Sequence, residues 1–284
     1  MKKLTLLLVA VAAVCMSAGA QQVKSGVIEV GDYTGATEFY NGSYFDMAPT
    51  NFYLAHTGAQ MIYTADELAD LNGKDNVEIT KLTFKFNNAG AFEDITRDVK
   101  LYLQETDATA FEVVEGVKQF YTFDNLVLEE ELYYEMVNFF GEDQEIEFEL
   151  DNPFPLAAGK SLLVTIVFDA QDDDNCTTGS DYAPFYTSDI RGKAMTYTDN
   201  WTSFVDYAQG NDFPDATSML GCGTNVDLPV TLITYAYSKA TGIDEVTVDK
   251  AGDNAYYNLM GQRLVGDNLP AGVYIHNGKK MMVK

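Results

Sequence analysis

The sequence is poor in the residues that most often perform enzyme chemistry. Its 284 residues include two histidines, His56 and His276, and a single tryptophan. No G-x-S-x-G elbow, H-E-x-x-H pair or phosphate-binding P-loop occurs. Because 43 residues are acidic, a pair of carboxylates suited to glycosidase chemistry has no diagnostic value. We therefore predict that the protein is not an enzyme; the weaker alternative is a secreted hydrolase without a recognisable motif.

Basic residues are also scarce, since 18 Lys and Arg stand against 43 Asp and Glu and the formal net charge is −25. Such a surface repels nucleic acids and anionic membranes, so neither is an expected partner. Outside the N-terminus, no apolar run approaches the roughly 18 residues that a membrane helix needs. We predict no membrane span, and the charge instead suits divalent cations or basic partners.

The first twenty residues have the organisation of a secretory signal peptide. Lys2 and Lys3 precede an apolar run from Leu4 to Val14, and an A-x-A cleavage site ends at Ala20. We predict cleavage near Ala20 and export to the cell surface or the medium, on the outer-membrane side. Loss of the two lysines makes the formal charge about −27.

Two cysteines follow the predicted cleavage site, Cys176 and Cys222. In an exported protein such a pair indicates one disulfide. The sequence does not say whether their Cα atoms lie close enough, so a bridge and two separate thiols both stay open.

Helical periodicity is nearly absent, whereas strand-like alternation recurs. EIEFEL, residues 145–150, places Ile146, Phe148 and Leu150 on one face and glutamates on the other. KSLLVTIVF, residues 160–168, is apolar on both faces, as a central strand would be, and LPVTLITYAY, residues 228–237, predicts one closing strand. We predict an all-β fold, an antiparallel, jelly-roll-like β-sandwich.

Two local features interrupt this pattern. The step from Ile79 to Leu82 breaks the alternation and predicts a β-bulge. The segment from Thr64 to Leu71 predicts a short helix, because Thr64 and Glu67 have the spacing of a capping box.

The amino-acid composition of the chain changes near residue 240. Residues 241–284 carry five acids and five bases, so all of the net charge of the mature chain belongs to residues 21–240. Within this tail Asn277-Gly278 is a two-residue hairpin signal. We predict three parts: a signal peptide at 1–20, a β-sandwich at 21–240, and a linker with a small C-terminal β hairpin or sheet domain at 241–284.

The densest acidic stretch is DAQDDDNCTTGSD, residues 169–181. Carboxylate oxygens suit Ca²⁺, and a loop at the edge of a sandwich is a common place for that ion. The candidate ligands are Asp169, Asp172, Asp173 and Asp174. The competing interpretation is a solvated acidic loop, which is the usual fate of a charge run.

Aromatic residues supply the candidate ligand-binding surface. Phe, Trp and Tyr make up 36 of the 284 residues, and exposed rings anchor ligands and protein partners. We predict that Trp201, Tyr197 and Phe213 line an edge that binds a surface glycan or a protein ligand. The alternative is that they cap the β core.

The tail resembles the C-terminal sorting domain of type IX secretion cargo in Bacteroidota. The matching pieces are Tyr257 to Arg263, Gly272 to Ile275, and Asn277 to Lys280. The resemblance implies that the export machinery is a partner and that the sorting residues are Tyr257, Gly261, Gly272, Tyr274, Lys279 and Lys280. At roughly 44 residues the tail is shorter than full-length members of that family. An ordinary terminal hairpin packed on the main domain is the alternative.

Residues 48–236 resemble the β-sandwich modules of adhesin-like cell-surface proteins in the same bacteria. The matching pieces are Gln60 with Ile62 to Ala65, the strand from Arg97 to Leu103, and Pro153-Phe154 ahead of Leu162 to Val164. This sequence lacks the tryptophan that those modules carry before the proline. The resemblance implies a non-catalytic, adhesin-like binding module and fixes no ligand. A carbohydrate-binding module that captures glycans is the alternative.

Overall fold

The computed structural model describes residues 22–36, 48–50, 54–86, 95–134, 145–171, 185–210, 222–239, 256–264, 269–276 and 279–283. These residues form β1 (Gln22–Val30), β2 (Gly35–Ala36), β3 (His56–Tyr63), β4 (Asp75–Lys85), β5 (Ile95–Thr106), β6 (Val113–Val114), β7 (Val117–Lys118), β8 (Leu126–Tyr134), β9 (Glu145–Pro155), β10 (Ser161–Asp169), β11 (Tyr186–Asp199), β12 (Cys222–Pro229), β13 (Thr231–Lys239), β14 (Tyr256–Tyr257), β15 (Arg263–Leu264), β16 (Gly272–His276) and β17 (Lys279–Val283). A short α-helix, α1, spans Phe204–Gly210, and a 3-10 turn spans Ala69–Leu71.

Two antiparallel sheets form a β-sandwich, as predicted. The four-stranded sheet has the order β1-β13-β4-β9, and the seven-stranded sheet has the order β12-β11-β3-β10-β5-β8 with β2 paired to β11. Apolar side chains from both sheets meet between them. Phe148 of β9 contacts Phe84 of the same sheet and Phe168 of the opposite sheet edge-on, with ring centroids 6.3 and 6.1 Å apart. This alternation of inward apolar residues produces the inner core.

β10 confirms the prediction of a central strand, because it lies between β3 and β5 and is buried on both faces from Ser161 to Phe168. Its inward residues join the inner core. Its other face packs into a second apolar cluster, which we call the outer cluster; its members are Ile62, Tyr102, Phe111, Phe120, Leu163, Val167, Met195, Tyr197, Phe204 and Val205. The outer face of the seven-stranded sheet is therefore covered along most of β10.

The bulge predicted in β4 is confirmed. Ile79 and Lys81 pair with the consecutive residues Tyr235 and Thr234 of β13, so Thr80 is the extra residue. Its hydroxyl donates to the Thr234 carbonyl at 3.3 Å. The bulge lets both Ile79 and Leu82 point into the core, where both are fully buried.

The prediction of one closing strand over residues 228–237 is wrong. β12 ends at Pro229 in the seven-stranded sheet, and β13 begins at Thr231 in the four-stranded sheet. The chain changes sheets at Val230, which is fully buried. An apolar run of this kind fits either one continuous strand or two strands joined at a corner. In both cases the residues at Val230 and in the flanking strands are buried.

The helix predicted at residues 64–71 is shorter than expected. The Thr64 amide and hydroxyl both donate to the Glu67 carboxylate, at 2.7 and 2.8 Å, so half of the capping box forms. The segment then tightens into the 3-10 turn, and Asn72 adopts an extended conformation. Glu67 also binds Lys193 at 2.6 Å, which ties this turn to β11.

The molecule divides into two compact units, one made of Gln21–Ala240 and the other including Thr241–Lys284. The described part of the second unit is a four-stranded sheet in the order β15-β14-β16-β17. β16 and β17 pair from His276 and Lys279 outward, which confirms the predicted terminal hairpin. Among the described residues, no helix is long and apolar enough to cross a membrane.

Candidate functional site

A row of polar residues crosses one end of the seven-stranded sheet. Asp98 of β5 pairs with Asp169 of β10, Asp169 pairs with His56 of β3, and His56 pairs with Asp199 of β11. Directly paired residues of antiparallel strands project from the same face of a sheet. These four side chains therefore lie on the outer face of the sheet. They occupy the end of that face that the outer cluster does not cover.

Asp169 is the centre of this row. Its Oδ1 lies 2.9 Å from His56 Nδ1, and its Oδ2 accepts a hydrogen bond from Ser203 Oγ at 2.7 Å. The His56 and Asp169 side chains are only 15% and 17% exposed. Ser203 Oγ also accepts from the Val205 amide at 3.2 Å, so one carboxylate connects β3, β10 and the first turn of α1.

The three residue types of a serine-hydrolase triad are present here, but their connectivity differs. In a triad the serine hydroxyl donates to the histidine, which in turn donates to the carboxylate. Here the hydroxyl of Ser203 and the ring of His56 both bind Asp169. The described contacts therefore join β3, β10 and the start of α1 through Asp169, with a connectivity different from that of the triad.

Trp201 projects from a loop that this network holds in place. Asp199 Oδ1 accepts hydrogen bonds from the amides of Trp201 and Thr202, at 2.7 and 3.2 Å. Tyr197 Oη donates to the Thr202 carbonyl at 2.7 Å. The Trp201 side chain is nevertheless 74% exposed. A large ring on a fixed loop is a preorganised contact surface, because little conformational freedom is lost on binding.

The structure corrects the prediction that Tyr197 lines the binding edge. Tyr197 is 1% exposed and stacks on Phe204 of α1, with ring centroids 5.1 Å apart. Burial, followed by the nearby Asp199 carboxylate, raises the pKa of Tyr197 above its usual value. The buried Tyr197 ring thus packs under the loop that carries Trp201. Its hydroxyl stays neutral and donates the hydrogen bond to Thr202 of that loop.

Two residues of β3 that sequence reasoning did not assign to the site shape the layer under it. Gly58 lies beneath Phe204, and a Cβ atom there would be 2.8 Å from Phe204 Cδ1. Gln60 is fully buried; its Nε2 donates to the Tyr121 carbonyl at 2.7 Å and its Oε1 accepts from the Tyr121 amide at 2.8 Å. Together they let α1 and the segment around Tyr121 pack onto the sheet. In the sequence, the only indication of this packing was the presence of a glycine and a glutamine within an otherwise apolar strand.

The acidic row extends to the edge strand β8, where Glu131 pairs with Asp98. Gln171 Nε2 donates to Asp98 Oδ1 at 3.3 Å and to Glu131 Oε2 at 2.5 Å. Within the described ranges, no group of three or more His, Cys, Asp or Glu residues is arranged to hold a metal ion. Asp172, Asp173 and Asp174 lie outside those ranges, so the calcium site stays a prediction.

Two further predicted residues, Phe213 and Cys176, also lie outside the described residues. Cys222 begins β12 and is partly exposed. The disulfide between Cys176 and Cys222 therefore stays a prediction, as does a ligand contact at Phe213.

Five of the six predicted sorting residues lie in strands of the C-terminal sheet, and the sixth, Gly261, lies in a turn. Tyr257 is in β14, Gly272 and Tyr274 are in β16, and Lys279 and Lys280 begin β17. Tyr274 is buried and donates to the Pro270 carbonyl at 2.6 Å. Gly261 has φ +74° in the turn between β14 and β15, a conformation that favours glycine.

Comparison with known protein families finds no matching family model, and comparison with curated proteins finds no similar sequence. No family is assigned by these comparisons.

Proposed function

We propose that the protein is an exported, adhesin-like binding protein that captures a ligand at the outer face of its seven-stranded sheet without a chemical step. The observation that supports this proposal is the exposure of Trp201 on a loop fixed by Asp199 and Tyr197. Tryptophan is enriched among the residues that dominate binding energy at interfaces. A fixed, exposed tryptophan is better suited to ligand contact than to core packing.

The location in this proposal is the cell surface or the medium. It is supported by the signal-peptide pattern that ends at Ala20 and by the resemblance of residues 241–284 to a sorting tail. In this proposal the export machinery binds the tail, and residues 21–240 meet the ligand outside the cell. The strongly acidic surface keeps the exported protein soluble.

A carbohydrate is the second candidate ligand class. The Trp201 ring stands on the loop that continues the row of Asp98, Asp169 and Glu131, so a flat apolar surface and several hydrogen-bond acceptors share one end of the sheet. A sugar ring offers a complementary apolar face surrounded by hydroxyl donors. This combination is the observation that supports the glycan-capture alternative.

The test is a binding survey of residues 21–284 on immobilised glycans and on immobilised surface proteins. We expect Trp201→Ala to weaken binding about tenfold or more, since the lost contact is an anchor, while Trp201→Phe retains part of it. Val27→Ala is the matched control, because Val27 is 54% exposed on β1 of the other sheet. Signals confined to glycans would favour the second candidate, and equal binding by Trp201→Ala would contradict the site.

A further inference from the structure

The loop between β11 and α1 carries Trp201 and crosses a neighbouring strand. It begins at Asp199, the last residue of β11, and ends at Ser203, directly before α1. Asp199 pairs with His56 of β3, whereas Ser203 Oγ donates to Asp169 of β10 at 2.7 Å. Because β3 lies between β11 and β10, the loop passes over the end of β3, and Trp201 is its middle residue.

The two ends of this loop are held by different kinds of contact. At the first end, Asp199 Oδ1 accepts from the amides of Trp201 and Thr202, its close neighbours in sequence, and Tyr197 of β11 donates to the Thr202 carbonyl. These contacts hold the loop to the strand from which it leaves. At the second end, Ser203 bonds to β10, a strand two places away in the sheet. This contact therefore ties the far end of the loop to the outer face.

The carboxylate of Asp169 is oriented for this contact by His56. Its Oδ1 lies 2.9 Å from His56 Nδ1, which leaves Oδ2 directed at Ser203 Oγ. Both side chains are largely withdrawn from solvent, whereas the Trp201 ring is exposed. Hydrogen bonds to a carboxylate are stronger than those between neutral groups, and burial strengthens them further. Each oxygen of Asp169 thus has a partner within the protein.

We propose that Asp169 is a positioning residue for ligand capture. Oriented by His56, it holds Ser203 and so keeps the Trp201 ring in the conformation that binds. The inference rests on the proposed function, since it states how the Trp201 loop is prepared for the ligand. A loop that is already ordered loses little conformational freedom on binding. Loss of the contact therefore weakens binding although Trp201 itself is unchanged.

Trp201 is the only tryptophan of the chain, so tryptophan fluorescence reports on this loop alone. The experiment measures the time-resolved fluorescence anisotropy of residues 21–284, without ligand, for the wild type and for Ser203→Ala. The fast component of the decay reports motion of the ring on the nanosecond timescale, and we expect its amplitude to roughly double in the variant. An unchanged decay would contradict the positioning role.

Ser161→Ala is the matched control, because Ser161 Oγ also accepts from a backbone amide, that of Ala65, and lies at the other end of β10. Ser203 likewise accepts from an amide of α1, so both variants lose a hydroxyl that caps an amide. We expect both variants to lower the melting temperature, and Ser161→Ala to leave the Trp201 decay unchanged. An equal change of the decay in both would show that lost stability moves the ring, which overturns the proposal.

Two variants of Asp169 separate positioning from direct contact with the ligand. In Asp169→Asn the amide oxygen can accept from Ser203 and the amide nitrogen can donate to His56 Nδ1, so both contacts survive while the charge is lost. In the survey of immobilised glycans and surface proteins, we expect Asp169→Ala and Ser203→Ala to bind about three- to tenfold more weakly. Asp169→Asn should restore most of that loss. Weak binding by Asp169→Asn with a normal anisotropy decay would show that the ligand contacts the charge directly, and the positioning role would be wrong.

The two proposals fail in different ways. If Trp201→Ala binds as well as the wild type, the proposed function fails and the positioning inference fails with it. If Trp201→Ala weakens binding and Ser203→Ala does not, capture by Trp201 stands and positioning by Asp169 is wrong.

Discussion

Gly58 shows how one residue positions the layer under Trp201. Phe204 begins α1, is fully buried, and packs against Tyr197, Phe120 and Phe123, so it has no room to move away from the sheet. A side chain at residue 58 would also approach the Ile166 carbonyl at 3.3 Å. The absence of a Cβ at this position is therefore what allows α1 to lie on the outer face.

We predict that Gly58→Val destabilises the protein by about 1–3 kcal/mol, because overpacking displaces Phe204. The greater strand propensity of valine, worth up to about 1 kcal/mol, does not offset the clash. Denaturant unfolding measures the change in the free energy of unfolding. The control is Gly58→Val combined with Phe204→Leu, which makes room and should cost less than the sum of the single changes. An unchanged midpoint for Gly58→Val would contradict this packing account.

The edge strand β8 carries a charge that points inward. Glu130 pairs with Val99, a core residue of β5, so its side chain projects toward the four-stranded sheet. Burial raises the pKa of Glu130, and the carboxylate of Asp151 on β9 raises it further. Inward charges on edge strands discourage pairing with other chains, at some cost in stability.

For this element we predict that Glu130→Gln increases the free energy of unfolding at pH 7 by less than about 1 kcal/mol, since the partly exposed carboxylate is screened by solvent. A raised pKa means that wild-type stability falls as the pH rises through it. The gain should therefore disappear as the pH is lowered toward about 4.3, the value of a glutamate in the unfolded chain. Denaturant unfolding of the wild type and of Glu130→Gln at several pH values measures this difference in the free energy of unfolding.

Glu129→Gln is the matched control on the neighbouring position, because Glu129 is exposed and lies 3.6 Å from Lys100. We expect no stabilisation from it. A gain from Glu130→Gln that did not depend on pH would show that charge burial is not its cause.

The charge of the whole molecule is divided unevenly between its parts. Residues 241–284 are neutral, and the sandwich unit carries the entire excess of acidic residues. Described ion pairs, such as Lys81 with Glu147 and Lys160 with Asp107, neutralise few of these carboxylates. The compact state therefore experiences net self-repulsion.

We predict that raising NaCl from about 10 to about 150 mM increases the melting temperature of residues 21–284 by a few degrees, because the screening length falls to about 8 Å. Calorimetry measures this increase.

Calorimetry with CaCl₂ in place of NaCl, at matched ionic strength, tests the predicted calcium site separately. The calcium prediction for Asp169 and Asp172 to Asp174 expects a further increase that EDTA removes. Identical curves in the two salts would contradict the calcium site, and a flat response to NaCl would contradict the self-repulsion.

Much of the fold was predictable because strand periodicity is local. Ile146, Phe148 and Leu150 alternate with glutamates, and the structure buries all three. The change of sheet at Val230 was not predictable, because it depends on which distant strands pair with β12 and β13. Sequence reasoning selected both Trp201 and Tyr197 as ligand contacts. Only one is exposed, since residue type alone does not reveal what packs on top of a ring.

The sequence by itself determined the all-β class, the alternation of inward and outward residues, the central position of β10 and the sign of the charge. These properties follow from the hydration and the backbone preferences of individual residues. Such preferences depend only on residues that are close together in the sequence. Tertiary structure alone decided that Asp98, Asp169, His56 and Asp199 form one row, because strand register joins residues far apart in the chain. It also decided that α1 covers Tyr197 and leaves Trp201 in solvent, since burial depends on long-range packing.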